Sequence, residues 1–207
     1  SVREGGFFVE KQLIISVSRE FGSGGHEIAS ELARRVNLPL YDKNILEQIA
    51  CKHNLNVRRL EPYDEAPKNI FTSRNVRGFS NSPEEQVAQM QFRYLRSKAE
   101  AGDSFVALGR CSEEVLKDYP CLVSIFVLAD IAFKKERTMA RDNTSEEDAL
   151  ELMSKANRRR KYYHNQHCRG KWGDSRNYDL CVNSAKLGIE GTTQLLEGYI
   201  RERCALM

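Results

Sequence analysis

Ser18-Arg19-Glu20-Phe21-Gly22-Ser23-Gly24-Gly25-His26-Glu27-Ile28 decides the fold because of what flanks it. Before it, Leu13 to Val17 is a short apolar run rich in β-branched residues; after it, Ile28, Leu32, Ala33 and Val36 recur at helical spacing. A strand that passes through glycines into a helix lets successive backbone N–H groups curl around an anion, and the helix N-terminus adds positive potential at the same spot. Ser18, Gly22, Ser23, Gly24, Gly25, His26 and Glu27 are therefore the expected phosphate-binding residues, with a plain tight turn as the alternative that the glycines by themselves leave open. Against G-x-x-x-x-G-K-[ST], Glu20 falls at the first Gly, Gly25 at the second, His26 at the Lys and Glu27 at the Ser/Thr. His26 can supply the missing positive charge only when protonated, and Glu27 could either ligate Mg²⁺ or repel phosphate. Arg19, on the same turn and charged at any physiological pH, is the candidate to replace the Lys.

Four more apolar segments follow the first: Leu38 to Tyr41, Phe105 to Leu108, Leu122 to Leu128 and Asp179 to Val182. They alternate with amphipathic stretches, which predicts an α/β fold with a five-stranded parallel sheet covered by helices. Ile45, Leu46 and Ile49 mark a second helix. Pro83 to about Ala101 reads as a third, with Pro83 in its first turn and Gly102 beyond its end. Ile131 to Arg141 reads as another, Ser145 caps one that should reach about Tyr163, and Ile189 to Arg203 closes the chain. Asn54 to Ser82 and Asn165 to Tyr178 carry no regular pattern, and long irregular stretches inside a compact domain are usually functional loops or lids.

At 207 residues the chain suits one domain with mobile inserts. With 41% hydrophobic and 29% charged residues it has the balance of an ordinary globular protein, and a net charge of +3 gives no general affinity for polyanions. The most apolar stretch, Leu122 to Ala129, is too short for a membrane helix, and Ser1 to Gln12 lacks the apolar core of a secretory signal, so a cytoplasmic location is the default expectation. The six cysteines are far apart with no C-x-x-C and read as reduced thiols.

Five blocks in order resemble the cytidylate kinase-like family of P-loop nucleoside monophosphate kinases. They are Ile15 to Gly25; Leu40-Tyr41-Asp42-Lys43; Leu108-Gly109-Arg110; Arg137 with Arg141; and Lys171-Trp172-Gly173-Asp174 running into Asn177-Tyr178-Asp179-Leu180. The resemblance spans about Leu13 to Leu196. It implies a P-loop kinase core (about 13–53, 102–141 and 179–204), a monophosphate-binding insert (about 54–101) and a lid (about 142–178). It also implies ATP or another nucleoside triphosphate as donor, Mg²⁺ as its companion and small-molecule nucleotides as partners. On this chain the acceptor-binding roles fall to Asp42, Lys43, Gly109, Arg110 and Asp179, and the catalytic charge to Arg137, Arg141 and a lid arginine, Arg159 or Arg160. Cys111 departs from the family pattern, in which the better-known cytidylate kinases carry an Asp after Gly-Arg.

Each of these residues has a plainer reading. Arg137 and Arg141 share a helix face, and a solvated pair bonding nearby acids would look the same. Asp42 and Asp179 are natural turn and capping residues. Trp172 either stacks on a base or anchors the lid. The Arg158 to Lys161 run, followed by Tyr162 and Tyr163, suggests RNA binding only weakly, because helical residues in a row point in different directions. His164, His167 and Cys168, with Cys181, suggest zinc, but zinc sites are usually built from two spaced ligand pairs and the second pair is missing, so these read as lid surface. The expected activity is transfer of a γ-phosphoryl group to a small acceptor, foremost a pyrimidine nucleoside monophosphate. The altered turn also permits a nucleotide-binding regulatory module without turnover.

Overall fold

The computed structural model describes residues 11–67, 75–76, 79–80 and 82–206. The expectation for Ser1 to Gln12 lies outside the described residues except at Lys11 and Gln12, as do residues 68–74, 77, 78 and 81 of the 54–82 stretch. The strands are β1 (Ile14–Arg19), β2 (Leu40–Tyr41), the short antiparallel pair β3 (Asn75–Val76) and β4 (Phe79–Ser80), β5 (Phe105–Leu108), β6 (Leu122–Leu128) and β7 (Leu180–Asn183). The helices are α1 (Gly25–Arg35), α2 (Asn44–His53), α3 (Pro83–Glu100), α4 (Ser112–Val115), α5 (Ile131–Asp142), α6 (Glu146–His167) and α7 (Gly188–Leu206), with single 3₁₀ turns at Val57–Arg59, Glu61–Tyr63 and Ser175–Asn177.

Five strands form one parallel sheet in the order β2-β5-β1-β6-β7, with β1 in the middle. Both faces are covered, which is why Phe105 to Leu108 is buried at every position instead of alternating. The two-residue period of β1 sorts its side chains. Leu13, Ile15 and Val17 pack with Ile28 and Leu32 of α1 and Leu196 and Ile200 of α7. Ile14 packs on the other face with Ile45 of α2, Phe92 and Leu95 of α3, and Tyr163 of α6. Ser16 and Ser18 point to that second face as well, with consequences below.

Two predicted boundaries move. β2 covers only Leu40–Tyr41 because Pro39 has no N–H for the ladder, although its carbonyl still accepts from Val106 N–H at 2.9 Å. α6, started by Ser145 Oγ accepting from Asp148 N–H, runs past Tyr163 to His167: no Gly or Pro intervenes before Gly170, and the last turn is covered by Phe92. None of the described helices is long and apolar enough to cross a membrane.

Asp179 belongs to the frame. Its Oδ2 accepts from Ser124 N–H at 2.7 Å and from Ser124 Oγ at 2.9 Å, while its own N–H donates to Ser124 O at 2.9 Å, joining the start of β7 to β6. This corrects its placement among acceptor-binding residues, since its Oδ2 and its backbone N–H are spent on the sheet and Asp179 lines neither cavity of the site. Replacing Asp179 by Ala leaves a buried amide without its acceptor and is expected to lower stability in urea by about 1–3 kcal/mol; unchanged stability would contradict the bracing role.

Candidate functional site

The site sits at the C-terminal edge of the sheet, where β1 passes through the glycine turn into α1. Glu20 N–H donates to Val127 O at 2.9 Å, and the first helical bond of α1 is Ile28 N–H to Gly24 O at 2.9 Å. Gly24 caps α1 with no side-chain hydrogen bond, so the N–H groups of Gly25, His26 and Glu27 have no intrahelical acceptor and point out of the helix end. Glycine is required at Gly22 for two reasons. Its φ of 78° is left-handed, and a Cβ there would lie 2.9 Å from the backbone oxygen of Lys134.

A cavity of about 160 Å³ opens over this turn, walled by Gly22, Gly24, Gly25, His26 and Glu27 from below and by Arg19, Lys43, Arg137, Arg141 and Arg160 around it. Arg137 Nη2 donates to Glu27 at 2.7 Å, and Arg141 lies over the Phe21 ring at 4.7 Å. Phe21 N–H donates to Asn157 Oδ1 at 2.7 Å, which ties the turn to α6. His26 faces Asp42 at 3.1 Å, and Asp42 Oδ1 also accepts from Asn44 N–H at the start of α2. Burial would raise the Asp42 carboxyl, but the Asn44 N–H and His26 outweigh it and hold it below its ordinary value. Asp42 therefore does what its turn chemistry predicts, and Lys43 lines the cavity over the glycine turn.

A second cavity, of about 20 Å³, adjoins the first and is lined by Ser18, Glu65, Gly109, Arg110, Tyr163 and Trp172, with Arg19 and Arg160 common to both. At its centre is Glu65, whose Oε1 accepts from Arg19 Nη1 at 3.2 Å and from Arg110 N–H at 3.1 Å. Gly109 makes this possible: a Cβ there would fall 2.2 Å from Glu65 Oε1 and 2.3 Å from Arg19 Nη1. The buried Arg110 guanidinium donates to Asp64 Oδ2 at 2.7 Å and to Leu108 O at 2.8 Å, while its Nε has no hydrogen-bond partner among the described residues. Burial is the largest influence on Arg160 and, with repulsion from Arg19, Arg110 and Arg141, pushes it below the ordinary arginine range; Glu65 is its counter-charge.

Four further expectations are corrected by where the side chains go. Ser18 is on the second face of β1 and donates to Glu113 Oε2 at 3.3 Å, away from the glycine turn. Ser23 Oγ is buried and donates to Glu20 O at 2.9 Å, so it shapes the turn from within. Arg159 and Arg160 diverge, as neighbours on a helix must: Arg160 enters the cavities, whereas Arg159 donates to the carbonyls of Asp64 and Glu65 and braces the insert. The Arg158–Lys161 run is thus split and presents no single basic surface. His164 and His167 are not lid surface: both side chains are buried, His164 against Glu113 at 2.7 Å and His167 against the Phe92 and Tyr163 rings. Trp172 anchors its loop edge-on against Phe126 at 5.3 Å and also faces the second cavity.

Asp64, Glu65 and Glu113 were not among the expected site residues. Burial alone would raise the Glu65 carboxyl, but Arg19, Arg110 and Arg160 outweigh it and hold it far below the usual carboxylate range. A depressed folded value means that the stabilisation is present above the unfolded carboxyl value of about 4.3 and is lost on acidification. The stability deficit of Glu65→Gln is therefore expected to be constant above about pH 5 and to shrink below it in urea titrations; a deficit that grows with acid would contradict the pairing.

The chain matches the cytidylate kinase-like family over residues 14–186. The crystal structure of an uncharacterized protein from Eubacterium ventriosum is 37% identical, covers 92% of this chain and 99% of its own, and superposes with a TM-score of 0.73. Shikimate kinase from Bacteroides thetaiotaomicron shares the fold at 13% identity and a TM-score of 0.54, over 91% of this chain and 98% of its own. Shikimate kinase from Acinetobacter baumannii, in complex with shikimate, does so at 13% and 0.51, over 93% and 95%. No curated protein sequence matches the chain. The sheet order, the glycine turn at the end of its central strand and a match running from β1 through β7 agree: the chain belongs to the cytidylate kinase-like family, on a P-loop kinase fold.

Proposed function

We propose that the protein transfers the γ-phosphoryl group of a nucleoside triphosphate to a small acceptor, a pyrimidine nucleoside monophosphate being the first candidate. The observation that carries this reading is the convergence of Arg19, Arg137, Arg141 and Arg160 on a cavity floored by unpaired amides at a helix N-terminus. Phosphoryl transfer asks little covalent work of a protein; it asks for alignment and for positive charge around the negative charge spread over the oxygens of the moving phosphoryl group. The amides from Gly22 to Glu27 would cradle the donor phosphates, with Arg137, Arg141 and Arg160 on the flanks. Arg19 reaches both cavities and is the group suited to the charge that the turn's missing Lys would supply, since His26 is turned towards Asp42.

Mg²⁺ usually keeps several waters and substrate oxygens and needs only one or two protein carboxylates, and Glu27 at the cavity wall would meet that demand by exchanging the partly exposed Arg137 guanidinium, which donates to it at 2.7 Å, for the ion. When bound, the ion would neutralise and orient the donor phosphates. Glu20 suits the role poorly, because its Oε2 already accepts from Lys134 Nζ at 2.7 Å.

The acceptor would enter beside Arg19, Arg110 and Trp172. A cavity of about 20 Å³ has room for roughly one water, so the insert corner carrying Asp64 and Glu65 has to withdraw for any acceptor to bind. Its exit frees Arg110 and Arg19 to take an anionic group in place of two carboxylates.

The test is ADP release from ATP and Mg²⁺ over a panel of monophosphates and hydroxy acids, with calorimetric binding of ATP, CMP and a short RNA alongside. Acceptor-dependent ADP release supports the kinase; tight ATP binding without transfer to any acceptor supports the regulatory module; tight, salt-sensitive RNA binding supports neither. Arg19→Gln and Arg160→Gln are each expected to lower kcat/KM by about 100-fold to 1000-fold while the far-ultraviolet circular dichroism is kept. Activity within a factor of two of wild type would remove that arginine from the mechanism.

A further inference from the structure

Beneath the second cavity, on the face of β1 that carries Ser16 and Ser18, the protein gathers a second chemistry. Cys168 caps the C-terminus of α6, and His164 lies one turn earlier on the same helix, an i, i+4 pair. Across from them, Cys111 and Glu113 sit at the junction of β5 and α4, with Cys111 held in a left-handed conformation at φ 53°. Ligand atoms of Glu113, His164 and Cys168 all lie within 4.8 Å of one another, and Cys111 lies beside them, packed in the same cluster as Cys168 and lining the same cavity as His164. The fold thus lays Cys111-x-Glu113 against the His164/Cys168 pair, a juxtaposition that the spacing of the histidines and cysteines did not reveal.

We propose that Cys111, Glu113, His164 and Cys168 form a closed, structural zinc site. Two thiolates, an imidazole and a carboxylate are a donor set that favours zinc over magnesium or calcium, and four protein ligands leave no position open for a catalytic water. The surroundings supply what such ligands need to be held in place. Ser16 and Ser18 hydroxyls donate to Glu113 Oε2 at 3.4 and 3.3 Å, and His164 Nδ1 faces Asn165 Oδ1 at 3.4 Å, leaving Nε2 directed into the cluster. Asn165 Oδ1 in turn accepts from Trp172 N–H at 2.9 Å, so the cluster is continuous with the loop that walls the acceptor side. Binding Zn²⁺ would release to solvent the two thiol protons and the proton held between His164 Nε2 and Glu113 Oε1, and would replace that hydrogen bond by two metal bonds. Its consequence would be a staple between the end of α6 and the sheet core, fixing the helix that presents Arg160.

The site is tested on the full chain, purified under reducing conditions and stripped with a chelator, by titration with Co²⁺ and then Zn²⁺. One equivalent of Co²⁺ should give thiolate-to-cobalt charge-transfer absorption, and one equivalent of Zn²⁺ should bleach it and raise the melting temperature. The double variant Cys111→Ser/Cys168→Ser should lose the absorption entirely, whereas Cys51→Ser, at an exposed thiol outside the cluster, should keep it. Wild-type protein that binds no stoichiometric Co²⁺ or Zn²⁺, or that binds it equally well in the double variant, would overturn the proposal. Because the wild-type spectrum needs no variant to fold, a failure of the double variant to fold does not rescue it.

Discussion

One half-buried carboxylate organises the positive charge of this molecule. Glu65 lies against Arg19, Arg110 and Arg160, three guanidinium groups that come from the central strand, the β5–α4 junction and α6. Bringing like charges together away from water is costly unless a counter-charge is supplied. Glu65 supplies it from the insert, in a left-handed conformation with φ 46°, while Arg159 holds the two carbonyls of that corner. The arrangement keeps the arginines assembled and stops them from separating towards solvent. It also makes them responsive to any anion able to compete for them, which is the property a phosphate-handling site requires.

The glycine turn matters in the same electrostatic terms. Its amides and the end of α1 provide a fixed positive field that does not depend on a lysine, so loss of the usual Lys at His26 removes one mobile charge and leaves the backbone part intact. The arginines on α5 and α6 then carry the side-chain part, and Asn157 joins one of those helices to the turn itself. A zinc staple at the end of α6 would act on the same element, by holding the helix from which Arg160 projects.

Much of the frame was legible because burial on both faces leaves a plain mark: runs such as Phe105 to Leu108 have no solvent-facing positions to break them. The glycine turn was legible because a strand and an amphipathic helix bracket it. What escaped was decided by contacts between distant residues. Ser18 could have been excluded from the turn by the two-residue period of β1, which puts it on the same face as Ser16 and opposite Val17. Arg159 and Arg160 differ by one step of a helix, and only the position of α6 tells which one turns inward. Glu65 sits in an irregular insert with no periodicity, and nothing local distinguishes it from a solvated acid. Cys111 and Glu113, the proposed second pair, escaped because a Cys-x-Glu at a strand end is not a recognised zinc pattern until the helix bearing His164 and Cys168 is laid across it.

In the proposed function, the arginines gathered at the glycine turn serve the phosphates of a nucleotide. A crystal structure with a non-hydrolysable nucleoside triphosphate and Mg²⁺ tests it most directly. The expected result is a polyphosphate lying on the amides from Gly22 to Glu27, touched by Arg137, Arg141 and Arg160. A nucleotide bound elsewhere on the chain, with those arginines keeping only their protein partners, would contradict that role.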